Sequence, residues 1–439
     1  MIIFAPAKGS AQAECDRTPI LVRNARLWTS TGPAQVRDVL FADDRVVSIA
    51  PAGPLKPSIA VRVLDGTGQT LLPGLIDLHL HFGVPGGLPE IAAPSPSRNW
   101  QITGRQLLRS GVTSGRIHMM SLAGAALLKK DVASPCSALP RVQFAGPEMG
   151  GGMPETESPN FVGVRNSDDA AAKVRHVAAA GLEWISLYDT GRFLPGELTA
   201  LTATARQSGI RLMGPIGSAQ EMQAQLAAGV DTIDDIDTTS AERYPDELLE
   251  KLKESSNVTL VPTIGYAYRI HAFDRQPQLL EAQSNYEFLT SAEKAFVSSN
   301  AKEALKKDGY VVNSRRVYAT LETKFRQLLA TGVPIAMGTD VGSADHFQAG
   351  GIWWELEAWR AFGAAPHNAL TAATTSAARV LRDERAGALK QGAHADFVLY
   401  SGDVEKGRFA LERVRAVARG GVLFVKDGIW VGPSREAAP

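Results

Sequence analysis

The sequence predicts an α/β protein: a (β/α)8 barrel with a composite β-sandwich domain formed by both termini. Three observations carry that prediction. Short runs of alternating apolar and polar residues occupy both ends of the chain. Between about 74 and 384, strand-like apolar runs alternate with segments of helical period. Eight such units in ~310 residues match the usual extent of a barrel with insertions. A doubly wound open sheet is the competing arrangement, but no Gly-rich phosphate loop follows the first strand of that region.

Taken in order, residues 1–19 begin MIIFAPAKGSAQAEC, with a short apolar start and the small-x-small triplet Ala11-Gln12-Ala13. A complete export signal needs a basic n-region and an apolar run of ~7–15 residues, and both are missing. The segment reads as a flexible tail or a remnant signal, and the compartment, cytoplasmic or exported, stays open. Residues 20–73 supply ILVRNARLW, VRDVLFADDRVVSIAP and AVRVLDGTGQTLLPG, broken by Asp43-Asp44 and Gly66-Thr67-Gly68 turns, as the first part of the sandwich. Barrel strands are expected at GLIDLHLHF, GVTSGRIHM, RVQFAG, LEWISLY, IRLMGP, DTIDDI, VTLVPT and PIAMGT. Amphipathic stretches such as Asp168–Ala180 and Ser218–Ala228 follow them. An insertion at about 265–321 carries Tyr266, Tyr268, Phe273, Tyr286, Phe288 and Phe296 and is expected to form a lid or a substrate wall. Residues 385–439, with HADFVLYSGD and RVRAVARGGVLFVKDGIWVG, return to the β texture and complete the sandwich.

Composition narrows the function. The 46 Lys+Arg and 46 Asp+Glu of this 439-residue chain leave no formal net charge, which argues against nucleic acid or an anionic membrane as the main partner. No stretch approaches the ~18 apolar residues of a membrane span. Two cysteines, Cys15 and Cys136, make neither a disulfide framework nor a thiolate zinc site on their own. A small-molecule partner and a homo-oligomer both stay open, since no heptad or large apolar stripe stands out.

In a barrel, chemistry sits where strands end. The first strand ends Asp77-Leu78-His79-Leu80-His81, and side chains at i and i+2 share a face, so the two imidazoles project together. The eighth ends Met337-Gly338-Thr339-Asp340, beside the first once the barrel closes. Two histidines and a carboxylate suit a metal ion or a His–Asp acid–base pair.

PGLIDLHLHF, GVTSGR, GLEWISLY, LAAGVDTI, MGTD, ATTSAARVL and GALKQGAHADFVLY together resemble the amidohydrolase superfamily, in its branch of imidazolonepropionase-like enzymes and metal-dependent prolidases. The resemblance runs from about Ile20 to Gly432. It implies a TIM barrel with a sandwich built from both termini, and hydrolysis of C–N or, less often, C–O bonds by metal-bound water. It also implies a fourth-strand lysine whose carbamate bridges two metals, and fifth- and sixth-strand histidines. Here those positions hold Ser186, Pro215 and Asp235, so a binuclear site is not expected.

Two arrangements fit the remnant, and both stay open. One divalent ion, zinc by preference, binds His79, His81, Asp340 and Asp235; or no metal is held, and Asp340 orients a histidine that works as base or acid. The corresponding functions are an amidohydrolase-like enzyme cleaving an amide, lactam or ester bond with at most one metal; a metal-independent lyase, isomerase or cyclase; or a non-catalytic small-molecule-binding protein. Retention of His79, His81 and Asp340 favours an enzyme, with these three as the catalytic residues. His118, His346, Tyr188, Arg116 and Tyr266 are the substrate-binding candidates. Glu148, Glu155 and Glu157 flank Gly150-Gly151-Gly152 in what reads as a solvated loop after strand three. Trp353, Trp354 and Trp359 read as packing, and His176, His271, His367 and His394 as structural or surface residues.

Overall fold

The computed structural model describes residues 15–53, 55–82, 96–134, 136–152, 159–255, 257–343 and 346–433. It is a mixed α/β fold in which the two ends of the chain share one nine-stranded sheet. Phe397–Ser401 runs antiparallel to Gln69–Pro73 in register Phe397↔Pro73 through Ser401↔Gln69, so a late strand completes an early one. Ile20–Thr29 lies beyond, paired with Gly32–Ala42, and the chain turns at Asp43 and Asp44 into Arg45–Pro51. The alternation read from the sequence reappears as a buried row of Ile20, Val22, Ala25, Val39, Phe41, Leu71, Phe397 and Leu399.

The central region builds parallel sheets. Leu75–Leu80, Val112–Ile117 and Arg141–Phe144 form one. The other runs Phe161–Val164, Glu148–Gly151, Trp184–Tyr188, Arg211–Pro215, Thr232–Asp234, Thr259–Val261. A parallel bridge at Ala145↔Trp184 joins the two sheets on one side. On the other side the segment Pro334–Val341 bridges them, by Leu260↔Ile335 and Leu80↔Val341. It is hydrogen-bonded to both neighbours, with Leu260 N donating to Pro334 O and Leu78 N to Met337 O. The expected eighth strand is therefore present as bridges rather than a ladder. Its Met337 N donates to Ala372 O at the π-helical turn Ala372–Ser376, so the ATTS stretch serves as its support. Pleated strands buried on both faces explain why these runs read as continuously apolar.

Helices follow where the amphipathic period places them. Ser167–Ala179 begins at the Asn166 cap and Ala219–Ala228 at the Ser218 cap, each side chain accepting a bond from a backbone N–H of the first turn. The insertion is helical, with Gly265–Arg275, Ser291–Lys307 and Gly309–Thr331. Its aromatics divide: Phe273 and Tyr286 pack with Val297 and Phe347, while Phe296 is exposed. No helix among the described residues is long and apolar enough to cross a membrane.

One feature adds to the sequence reading and one corrects it. Cys15 and Cys136, 121 residues apart, are joined in a disulfide, so the end of the expected tail is tethered to the central region. Nothing local in the sequence signals a pairing across that distance. Glu148 belongs to the strand Glu148–Gly151 rather than a solvated loop, because Leu187 and Tyr188 pair with Met149 and Gly150. Glu155 and Glu157, and the start of the tail, lie outside the described residues.

An ionic network ties the nine-stranded sheet to the rest. Asp44 meets Arg141, Arg385 and His394, and His394 Nε2 also lies 3.2 Å from Asp383 Oδ2. Burial opposes charging of His394, but Asp383 and Asp44 raise its pKa above the usual 6.5. For Asp44 burial works upward, and His394 and Arg141 bring the carboxyl down to about 2. A raised histidine stabilises fully below its unfolded pKa and is lost as pH rises through the folded one; a depressed carboxylate stabilises above its unfolded pKa and is lost as pH falls. His394→Gln is thus expected to lower the melting temperature most at about pH 5 and least at about pH 9. Parallel melting curves of the two proteins across that range would contradict it.

Candidate active site

Strand parity positions the first group. Asp77, His79 and His81 share a face of the first parallel strand, and only His81 is appreciably open, its side chain 28% exposed. Asp77 is a buried staple: its carboxylate accepts from the backbone N–H groups of His79 and Thr339 and from Thr339 Oγ1 at 2.6 Å. It fixes the first strand against the Pro334–Val341 segment, and burial pushes its pKa up to about 7. Gly338 permits the close approach, since a Cβ there would stand 2.5 Å from Val261 Cγ1 and 2.9 Å from His79 Cβ.

Asp234 orients His79. The imidazole Nδ1 lies 3.0 Å from Asp234 Oδ2, which also accepts from Arg116 Nη2 at 2.6 Å. Arg116 is fully buried, and its remaining donors reach Leu78 O and Thr232 Oγ1. Burial works against the Asp234 charge, but Arg116 and His79 bring its pKa down to about 2. Burial likewise disfavours His79 as a cation, yet Asp235, Asp234 and Asp340 raise its pKa to about 10. A carboxylate on Nδ1 leaves Nε2 facing Asp340, 3.7 Å away, the arrangement in which a histidine is presented to a metal.

Asp340 closes the site. Its backbone takes φ 58°, and its N–H donates to His79 O at 2.9 Å, which holds the residue whatever its side chain does. Its Oδ1 stands 3.0 Å from His81 Nε2 and 3.7 Å from His79 Nε2. Despite burial, His81 and His79 hold its carboxyl well below the usual range. Asp235, with φ 71°, accepts from Thr263 Oγ1 and lies 3.8 Å from His79 Nδ1, the nitrogen already committed to Asp234. Burial pushes its pKa up to about 7.

Beside these lies a second cluster. His118 Nε2 is 2.8 Å from Ser186 Oγ and 3.2 Å from Glu148 Oε1, while Ser186 Oγ donates to Glu148 Oε1 at 2.9 Å. All three are buried. Burial first, and then the charge of His79, push the His118 pKa down to about 4, so it is neutral near pH 7. One ring nitrogen from each of His79, His81 and His118 lies within 4.8 Å of the other two. Three imidazoles flanked by a carboxylate are a donor set that could hold one divalent ion.

The substrate-binding candidates separate. His346 is buried with its ring 4.8 Å from that of Tyr266 and within electrostatic reach of Asp340 and His81. His118 belongs to the donor cluster just described. Tyr188 is 42% exposed and packs on Phe161. Arg116 corrects the sequence reading: it binds a carboxylate, but that of Asp234 in the interior, and has no surface for a ligand. Asp77 and Asp234 escaped the sequence reading altogether. The available signal was parity, which puts Thr232 and Asp234 on one inward face, as their 2.7 Å hydrogen bond shows.

The amidohydrolase family pattern matches residues 70–425. An adenine deaminase of Gluconobacter oxydans is 25% identical over 291 residues, 62% of this chain and 47% of that protein. A dihydroorotase of Thermus aquaticus is 42% identical over 67 residues, 15% of this chain and 14% of that protein. The chain thus aligns with half or less of the length of these relatives. Among solved structures, a Xaa-Pro dipeptidase with bound methionine superposes with a TM-score of 0.73 at 21% identity, covering 93% of this chain and 100% of the other. Phenylurea hydrolase B gives 0.72 at 18% identity, covering 92% and 96%.

Proposed function

Since the chain belongs to the amidohydrolase family, we propose that it hydrolyses a C–N bond (amide or lactam) or an ester bond of a small molecule, using at most one divalent ion. The observation that carries this reading is Asp340 Oδ1, poised 3.0 Å from His81 Nε2 and 3.7 Å from His79 Nε2 at the carboxyl ends of parallel strands. The bridges at Ala145, Ile335 and Val341 support reading those strands as a (β/α)8 barrel, with the nine-stranded sheet belonging to a sandwich made from both termini.

The ion would be held by His79, His81 and Asp340, with His118 in reach and zinc the best match to this N/O donor set. When bound, such an ion acidifies water and polarises a carbonyl. Asp340 takes the proton of water as its oxygen bonds to the scissile carbonyl carbon, and returns it to the leaving nitrogen or oxygen as that bond breaks. The main-chain bond from Asp340 N–H to His79 O holds Asp340 in place, Asp234 fixes the tautomer of His79, and His346 and Tyr266 form a wall for the substrate. A second ion is not part of this reading: Pro215 offers no donor side chain, and the Ser186 hydroxyl is already bonded to Glu148 and His118.

A metal-independent lyase, isomerase or cyclase is the second reading, favoured by one observation: the carboxylates of Asp234, Asp235 and Asp340 stand 3.0, 3.8 and 3.7 Å from the ring nitrogens of His79, beside the His81–Asp340 pair. Elemental analysis of protein purified without added metal, followed by chelation, separates the two. The expected result is close to one equivalent of metal, with activity lost on chelation and restored by zinc. Activity indifferent to chelator would establish the second reading instead, and inertness toward a broad library with tight binding of a ligand would mark a non-catalytic binder.

A further inference from the structure

Glu148, His118 and Ser186 are buried and mutually bonded, and the hydrolytic scheme above gives Glu148 and Ser186 no part. Zinc bound by N and O atoms at ~2.0–2.2 Å with tetrahedral angles sets neighbouring ligand atoms about 3.4 Å apart. His81 Nε2 and Asp340 Oδ1, at 3.0 Å, approach that spacing, and so do His118 Nε2 and Glu148 Oε1, at 3.2 Å. The three imidazoles link the two pairs, with ring centroids 4.5 Å apart for His79–His118 and 5.1 Å for His81–His118. Three imidazoles thus gather at the centre, with Asp340 against His81 and Glu148 against His118.

We propose that His118 and Glu148 are ligands of the same single ion, so that His79, His81, His118 and Glu148 hold it and Asp340 beside them keeps its role as base. The proposal rests on the single-ion reading above and extends its ligand set. Ser186 has a defined part in it. A side chain this small leaves room for the Glu148 carboxylate to enter from the adjacent strand, and its hydroxyl donates to Oε1 and fixes the carboxylate's direction. Ser186 is a positioning residue, and Glu148 supplies from the next strand a carboxylate that the fourth strand does not carry.

The test uses the full-length protein, zinc and cobalt. X-ray absorption of the zinc-loaded wild type is expected to count three imidazole ligands; two would overturn the role of His118. Calorimetric titration should show Glu148→Gln losing more than ~100-fold in zinc affinity, beyond what a supporting residue costs, with a changed visible spectrum of the cobalt form. Ser186→Ala should lose ~10–100-fold, the range for a residue that orients a ligand. Circular dichroism and melting confirm that each variant is folded, and the absorption measurement needs no variant at all. If the wild type binds one ion and Glu148→Gln binds it equally with the same cobalt spectrum, the extended ligand set is wrong while the single-ion reading stands. If the wild type binds no ion, both are wrong.

Discussion

Replacing Asp340 with Asn is expected to lower turnover on the true substrate by at least ~10²-fold, toward ~10⁴-fold, while the fold survives. The amide keeps the size of the carboxylate but cannot take a proton, and it removes the negative charge that faces both His81 and His79. Asn tolerates the left-handed backbone at this position about as well as Asp. The bond from residue 340 N–H to His79 O involves main chain only, so the junction with the first strand is preserved. The two readings of the site agree here, since each requires the Asp340 charge, either to accept the proton of water or to hold a histidine in a working state. Steady-state rates measured beside melting curves decide the matter. Near-full turnover in the Asn variant would remove the whole assignment, and a collapsed melting temperature would show a structural role instead.

What could be read from the chain follows from how local each signal is. His79 and His81 were legible because a strand of period two places i and i+2 together whatever surrounds it, and Asp340 because it ends an apolar run. The shared sheet of the two termini was legible as β texture, although its register, Leu399↔Leu71 for example, was not. Arg116 was misread because its partner Asp234 is 118 residues away, and composition cannot say whether a guanidinium on a strand faces a ligand or the interior. Glu148 was placed in a loop because three consecutive glycines read as a turn; the neighbouring strand Trp184–Tyr188 supplies the hydrogen bonds that make it a strand. Asp235 drew notice through its motif position, whereas its neighbour Asp234 proves to be the residue that grips His79. One position of register decides between them, and register is set by tertiary pairing.

Arg116→Met is expected to cost ~3–5 kcal/mol of stability, the scale for removing one partner of a buried ion pair and leaving the other charge uncompensated. Methionine fills much of the volume against Trp184, whose ring lies 4.4 Å from the guanidinium carbon, so lost packing is the smaller part of the effect. The larger part is electrostatic: Asp234 is wholly buried and depends on Arg116 and His79 for a pKa of about 2. This predicts a pH signature that a packing defect would lack. In the wild type the depressed Asp234 stabilises fully above the usual 3.8 and is lost only as pH falls toward about 2. In the variant burial is no longer offset by the arginine, the folded-state pKa rises, and the folded protein takes up a proton that the wild type refuses. The stability deficit should therefore be largest near neutral pH and narrow as the solution is acidified. Denaturant melts of both proteins from about pH 7 down to about pH 4 would show the curves converging. A deficit constant across that range would mean that Arg116 acts through packing, and that the Arg116–Asp234–His79 chain does not set the charge state of the site.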